Sequence, residues 1–203
     1  MVEIYNYLLT SFPSPINFLL IAVIFVIAFS LFFPLFGKLI NWIETLQMIY
    51  LSKILGRGLA LMVINRLTFI GTVIHEYAHA ILAVITGAQV TKINVIDLFR
   101  GNQLGHVEFY TRGNKLKQSF QLFFASCAPV VFGIILVIIG FVRILPKCTL
   151  WWHYVLFWYI IISIINHCSM SDADLRLYRK GAVLAVPILI LGIFVLQYIL
   201  QPA

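Results

Sequence analysis

Residues 67–85 read LTFIGTVIHEYAHAILAVI, an apolar stretch carrying one carboxylate, Glu76, between two histidines, His75 and His79. Its length is close to the roughly 20 residues that a helix needs to cross a bilayer core. At 100° per residue the two histidines fall one turn apart on the same helix face, with Glu76 beside them. A charge at mid-bilayer costs about 2.5–3.5 kcal/mol even on the mildest insertion scale, so it persists only with a partner or a task. The segment therefore reads as a membrane helix that carries its own polar site.

The rest of the chain agrees with that reading. Of 203 residues, 62% are hydrophobic and 10% are charged, and the mean hydropathy is +1.02. Soluble domains carry about 25% charged residues. Four more apolar runs occupy 16–36, 120–142, 151–168 and 182–200. The expectation is an all-α polytopic membrane protein of about five transmembrane helices, forming a single membrane-embedded domain over 1–203. Residues 38–57 mix Trp42, Leu46 and Ile49 at helical spacing with Glu44, Gln47 and Lys53, the pattern of an amphipathic helix lying at the membrane interface. Residues 1–15 hold no Lys or Arg, so the first run is expected as a retained span and not as a cleaved signal peptide. Composition excludes disorder, a coiled coil and a secreted disulfide scaffold. The three cysteines, Cys127, Cys148 and Cys168, are widely spaced and form no C-x-x-C.

Between the second and third runs the period changes. Val90-Thr91-Lys92-Ile93-Asn94-Val95 alternates, Arg100-Gly101-Asn102 supplies turn residues, and Leu104-Gly105-His106-Val107-Glu108-Phe109-Tyr110 alternates again. This predicts a small β-hairpin.

The net charge of +7, from 14 Lys/Arg against 7 Asp/Glu, falls between the apolar runs. It describes orientation in a lipid bilayer and not a nucleic-acid surface. Segments 86–118 and 172–180 hold eight basic residues, against six in 37–66 and 143–150. The positive-inside rule then sets the hairpin, and the site beside it, near the cytoplasmic side. No signal for an oligomeric state is present.

His75-Glu76-Tyr77-Ala78-His79 is an H-E-x-x-H motif. Two imidazoles one turn apart can grip a zinc ion, while the adjacent Glu is displaced from the metal and placed to take a proton from water. A catalytic zinc takes a third protein ligand. Glu108 is the one Glu downstream and lies in the hairpin, so the end of the fourth run, Asn166-His167-Cys168-Ser169-Met170-Ser171-Asp172-Ala173-Asp174, is the better source, through Asp172 or Asp174. His167 reads as a hydrated residue at a helix end, with a fourth polar wall of the site as the alternative, and His106 and His153 read as loop and interface residues.

These motifs resemble the site-2 protease type of intramembrane zinc metalloprotease. That family carries H-E-x-x-H in one span and an Asp at a later span within N-x-x-P-x-P-x-x-D-G. Asn166 and Asp174 keep the spacing of eight, while Ser169 and Ser171 stand for the prolines and Leu175 for the glycine. Cys127-Ala128-Pro129 is similar to the family's Ala-Gly-Pro, with Phe132 in place of the Asn that follows it. The resemblance covers about 67–180. It implies Zn2+ held by His75, His79 and Asp174, with Asp172 as the competing ligand, Glu76 as general base and acid, and Asn166 on the substrate carbonyl or its oxyanion. It implies hydrolysis of a peptide bond in or next to the transmembrane segment of a membrane-protein substrate. A strand edge of the hairpin would hold such a segment extended. The alternatives are a metal-binding membrane protein of the same fold without hydrolysis, and a metal-ion transporter.

Overall fold

The computed structural model describes residues 14–95 and 105–200. Within them the chain forms six α-helices and one two-stranded sheet, in the order α1 (Ser14–Leu55), α2 (Arg57–Leu61), α3 (Phe69–Ile85), β1 (Gln89–Asn94), β2 (His106–Tyr110), α4 (Lys115–Ile139), α5 (Trp151–Asn166) and α6 (Asp172–Ile199).

α1 corrects the expected break after residue 36. The first apolar run and the expected interfacial segment are one helix of 42 residues. Polar side chains such as Glu44 and Gln47 do not interrupt a backbone ladder, and no turn dipeptide occurs before Gly56, which ends α1 at φ +78°. Pro34 lies inside the helix and has no N–H for the carbonyl four residues back. That carbonyl belongs to Ser30, and the Tyr178 hydroxyl of α6 donates to it. The missing backbone bond is thus replaced from a neighbouring helix, as an apolar surrounding demands.

Between α2 and α3 the chain passes through a π-helical turn, Met62–Leu67, and the stretches Arg57–Ile64 and Phe69–Ile85 meet at 50°. The carbonyls freed there also find partners. The Thr68 hydroxyl donates to Ile64 O, the Tyr159 hydroxyl to Leu67 O at 2.7 Å, and the Ser163 hydroxyl to Thr68 O at 2.7 Å. Both of the latter come from α5, so the bend and α5 form one polar seam.

Small residues let the helices close on one another. The Gly71 N–H donates to Ser163 Oγ at 2.8 Å, and a Cβ at Gly71 would run into the Ser163 carbonyl and the His167 ring. At Gly181 on α6 a Cβ would stand 2.6 Å from Ser119 O of α4. The core between α4 and α6 is built from Phe123, Cys127, Val130, Leu175 and Tyr178, with Cys168 and Met170 from the connection after α5.

The predicted hairpin is present. β1 and β2 pair antiparallel, Gln89 opposite Tyr110 and Asn94 opposite His106, with an irregularity at Thr91. The predicted turn at Arg100-Gly101-Asn102, together with Leu104, lies outside the described residues. Val90 and Phe109 pack on Ala83, Ala88 and Ala125. Gln121 of α4, fully buried, accepts from the Arg112 N–H at 2.8 Å and donates to Thr86 O and Arg112 O, both at 3.2 Å. One side chain therefore ties both roots of the hairpin to α4.

Among the described residues three helices are long and apolar enough to cross a bilayer: α1, α4 with its extension to Lys147, and α6. The bent pair of α2 and α3 makes a fourth if counted as one crossing. α5, expected as a span over 151–168, has 16 helical residues. At 1.5 Å per residue that is about 24 Å, less than the roughly 30 Å of a bilayer core.

Candidate metal centre

His75 and His79 lie on the face of α3 that continues from Gly71, at intervals of four, and point between α4, α5 and α6. The His75 Nδ1–H donates to His167 O at the end of α5, and the His79 Nδ1–H donates to Ala125 O of α4, each at 2.7 Å. A carbonyl oxygen only accepts, so in each neutral ring the proton belongs on Nδ1 and Nε2 is a bare lone pair. The two Nε2 atoms are 3.1 Å apart.

Asp174 joins them from α6. Its Oδ1 stands 3.4 Å from His79 Nε2. Its other oxygen, Oδ2, accepts from the Ser171 N–H at 2.9 Å and the Ser171 hydroxyl at 2.6 Å, while Ser171 Oγ accepts from the Asp174 N–H at 3.1 Å. This is a reciprocal cap at the start of α6, and it fixes which oxygen faces the histidines.

The ligand atoms of His75, His79 and Asp174 all lie within 4.8 Å of one another. Among the described residues three acceptors converge with no donor between them, an arrangement that repels itself until a cation sits among them. Two ligand atoms at about 2.1 Å from a tetrahedral zinc are about 3.4 Å apart. Two of the three separations, 3.1 and 3.4 Å, are of that size. The donor set, two imidazoles and one carboxylate with their remaining atoms tied to carbonyls and a cap, fits zinc.

Glu76 is buried, and its carboxylate makes no hydrogen bond to a described residue. The hairpin lies directly on it. A Cβ at Gly105 would be 2.9 Å from Glu76 Cγ, 3.1 Å from Glu76 Oε1 and 3.1 Å from Asn94 O. Glycine at 105 is what allows the foot of β2 to reach the carboxylate.

The other expected residues fall elsewhere. Asp172 is exposed in the first turn of α6 and is not in the group. Asn166 is 7% exposed and lines a cavity of about 500 Å³ with Gln47 and Tyr50 of α1 and Thr68 of the bend. Its side chain makes no hydrogen bond to a described residue. His167 is not a hydrated end residue: its Nε2 is 2.9 Å from the Thr68 hydroxyl and its carbonyl holds His75. His106 stands 3.5 Å from Glu108 on the hairpin, and His153 caps the start of α5. Ser171 was missed in the sequence, although Ser171-x-x-Asp174 is a capping pattern that spacing alone displays. The carbonyls of Ala125 and His167 leave no such trace, because every residue has one.

Fold and site together define a mainly helical chain with bilayer-length apolar helices and, buried among four of them, a group able to hold a metal ion. In comparisons with protein-family models, curated proteins and solved structures, the chain matches none.

Proposed function

We propose that the protein is an intramembrane zinc metalloprotease of the site-2 type, a multi-pass membrane protein whose active site lies near the cytoplasmic side. The observation that carries this reading is the convergence of His75, His79 and Asp174 as three acceptors beside a carboxylate that has no hydrogen-bond partner among the described residues. His75, His79 and Asp174 would hold the zinc. Zinc bound there would supply Lewis acidity, making a water easier to deprotonate and the scissile carbonyl easier to attack.

Glu76 takes the proton of the attacking water and delivers it to the departing amide nitrogen, so each turnover returns it to its starting form. His167 and Ala125 keep the imidazoles turned with Nε2 inward, and Ser171 does the same for Asp174. The peptide bond must be presented out of its helix, because helical hydrogen bonding shields the carbonyl. The hairpin, resting on Glu76 through Gly105, sits where an extended strand added to its edge would pass the carboxylate. A crossing topology of five spans requires α5 to be counted despite its 16 residues.

The test is metal content and cleavage of a transmembrane test peptide in proteoliposomes, for the natural chain and Glu76→Gln. The natural chain is expected to hold one zinc and to cleave. Glu76→Gln is expected to keep the zinc and to lose roughly 10²–10⁴-fold in rate, the usual worth of a positioned proton carrier. Cleavage unchanged in Glu76→Gln, or a natural chain that binds no divalent metal, overturns the reading. Zinc retained by both chains with cleavage by neither leaves a metal-binding protein without hydrolysis.

A further inference from the structure

A second cavity, of about 430 Å³, lies between the end of α4 and the length of α5, with Ile74 of α3 also in its wall. Its depth is aliphatic and aromatic, with Leu136, Ile139, Phe157 and Ile161 among its walls, and its mouth carries Lys147 and His153. None of these residues belongs to the metal group.

The mouth is chemically one-sided. Residues 109–171 contain no Asp or Glu, while Arg143 and Lys147 fall within them. Lys147 has no carboxylate partner among the described residues. His153 Nδ1 accepts from the Thr149 and Leu150 N–H groups at 3.2 and 3.3 Å. The neutral ring therefore carries its proton on Nε2, and that N–H has no protein acceptor among the described residues. An ammonium and an imidazole N–H thus stand unanswered over an apolar cleft.

Depth in the membrane is marked by the neighbours. Trp151, Trp152 and Tyr154, all exposed, start α5 beside this mouth, and Trp and Tyr concentrate at the headgroup level of a bilayer. From there α5 runs inward with Phe157 and Ile161 lining the cleft. Cationic donors at headgroup level above an apolar slot at acyl depth have the polarity of an anionic amphiphile.

We propose that this cleft binds an anionic phospholipid of the surrounding bilayer, with an acyl chain between α4 and α5 and the phosphate on Lys147 Nζ and the His153 Nε2–H. The negative headgroup answers the charge that the protein leaves unpaired, and a zwitterionic lipid answers it less well.

The test uses the full chain in nanodiscs of mixed phosphatidylglycerol and phosphatidylcholine, doped with either lipid bearing a diazirine at the acyl chain end. Crosslinks are mapped by mass spectrometry. The phosphatidylglycerol probe is expected to label Leu136, Phe157 and Ile161 about fivefold more than the phosphatidylcholine probe does, the effect of roughly one well-placed cation at a lipid surface. Lys147→Gln should remove that preference, whereas Lys53→Gln on α1 should not. Equal labelling of the cleft by the two probes overturns the proposal, as does a preference that survives Lys147→Gln. Labelling spread evenly over the exposed face of α1 at Phe25 and Leu35 overturns it as well.

Discussion

α1 and α3 are both apolar helices, yet they turn opposite kinds of residue to their neighbours. α1 leaves large side chains outward, with Phe25 at 59% and Leu35 at 63% exposure. α3 also turns its large residues out, Val84 and Ile85 among them, but what it buries is Gly71, Thr72, Glu76, Ala78, His79, Ala80 and Ala83. In a lipid surrounding, apolarity does not decide which face goes inside, because lipid tails are as apolar as leucine. Close packing of small residues and hydrogen bonding decide it. α3 is therefore specified by its inner face and α1 is permissive over most of its outer one.

Three substitutions test that contrast, in falling order of effect. Gly71→Val should be the most damaging, since even a Cβ there meets the Ser163 backbone and the His167 ring. Parting α3 from α5 removes the carbonyl that turns His75. The expected result is an unfolding free energy in detergent lowered by about 1–3 kcal/mol, the usual penalty of overpacking, together with loss of bound zinc. A Gly71→Val chain with normal zinc would show that this contact does not position the site.

Ser171→Ala should spare the fold apart from about 1 kcal/mol of lost cap. It frees Asp174 Oδ2 from its hydroxyl, and zinc affinity measured by chelator competition should fall about 10–100-fold, as when a metal ligand loses its support. Ser171→Thr, which keeps the hydroxyl, should restore most of it. Leu35→Ala on the outer face of α1 should change stability by less than about 0.5 kcal/mol and leave zinc affinity untouched. A large effect there would mean that this face of α1 has a partner.

The same contrast explains how much the sequence disclosed. The inner face of α3 was legible because its His-Glu-His spacing is chemically costly in an apolar run, and the hairpin was legible because a period of two cannot be mistaken for one of 3.6. Asp174 was reachable through the resemblance, whose pattern sets the Asp eight residues after an Asn, as Asp174 follows Asn166. The continuity of α1 past residue 36 was not, since polar residues at helical spacing fit an interfacial helix and a longer one equally well. Nor was the placement of Asn166. It lies three positions after Ser163, which faces α3, and so is turned about 60° from it, into the cavity shared with α1. His167 escaped because its contribution to His75 is made by its main chain.

The clasp at Gln121 has a mechanical corollary. Thr86, which leads into the first strand, and Arg112, which follows the second, hang from the same carboxamide, sealed from solvent, with its nitrogen donating to both carbonyls and its oxygen accepting from Arg112. The roots of both arms of the β-ribbon are thereby tied to one point on α4. A tug on one arm is felt at the other and at α4, and the ribbon shifts over the Glu76 carboxylate as a single lever or stays where it is.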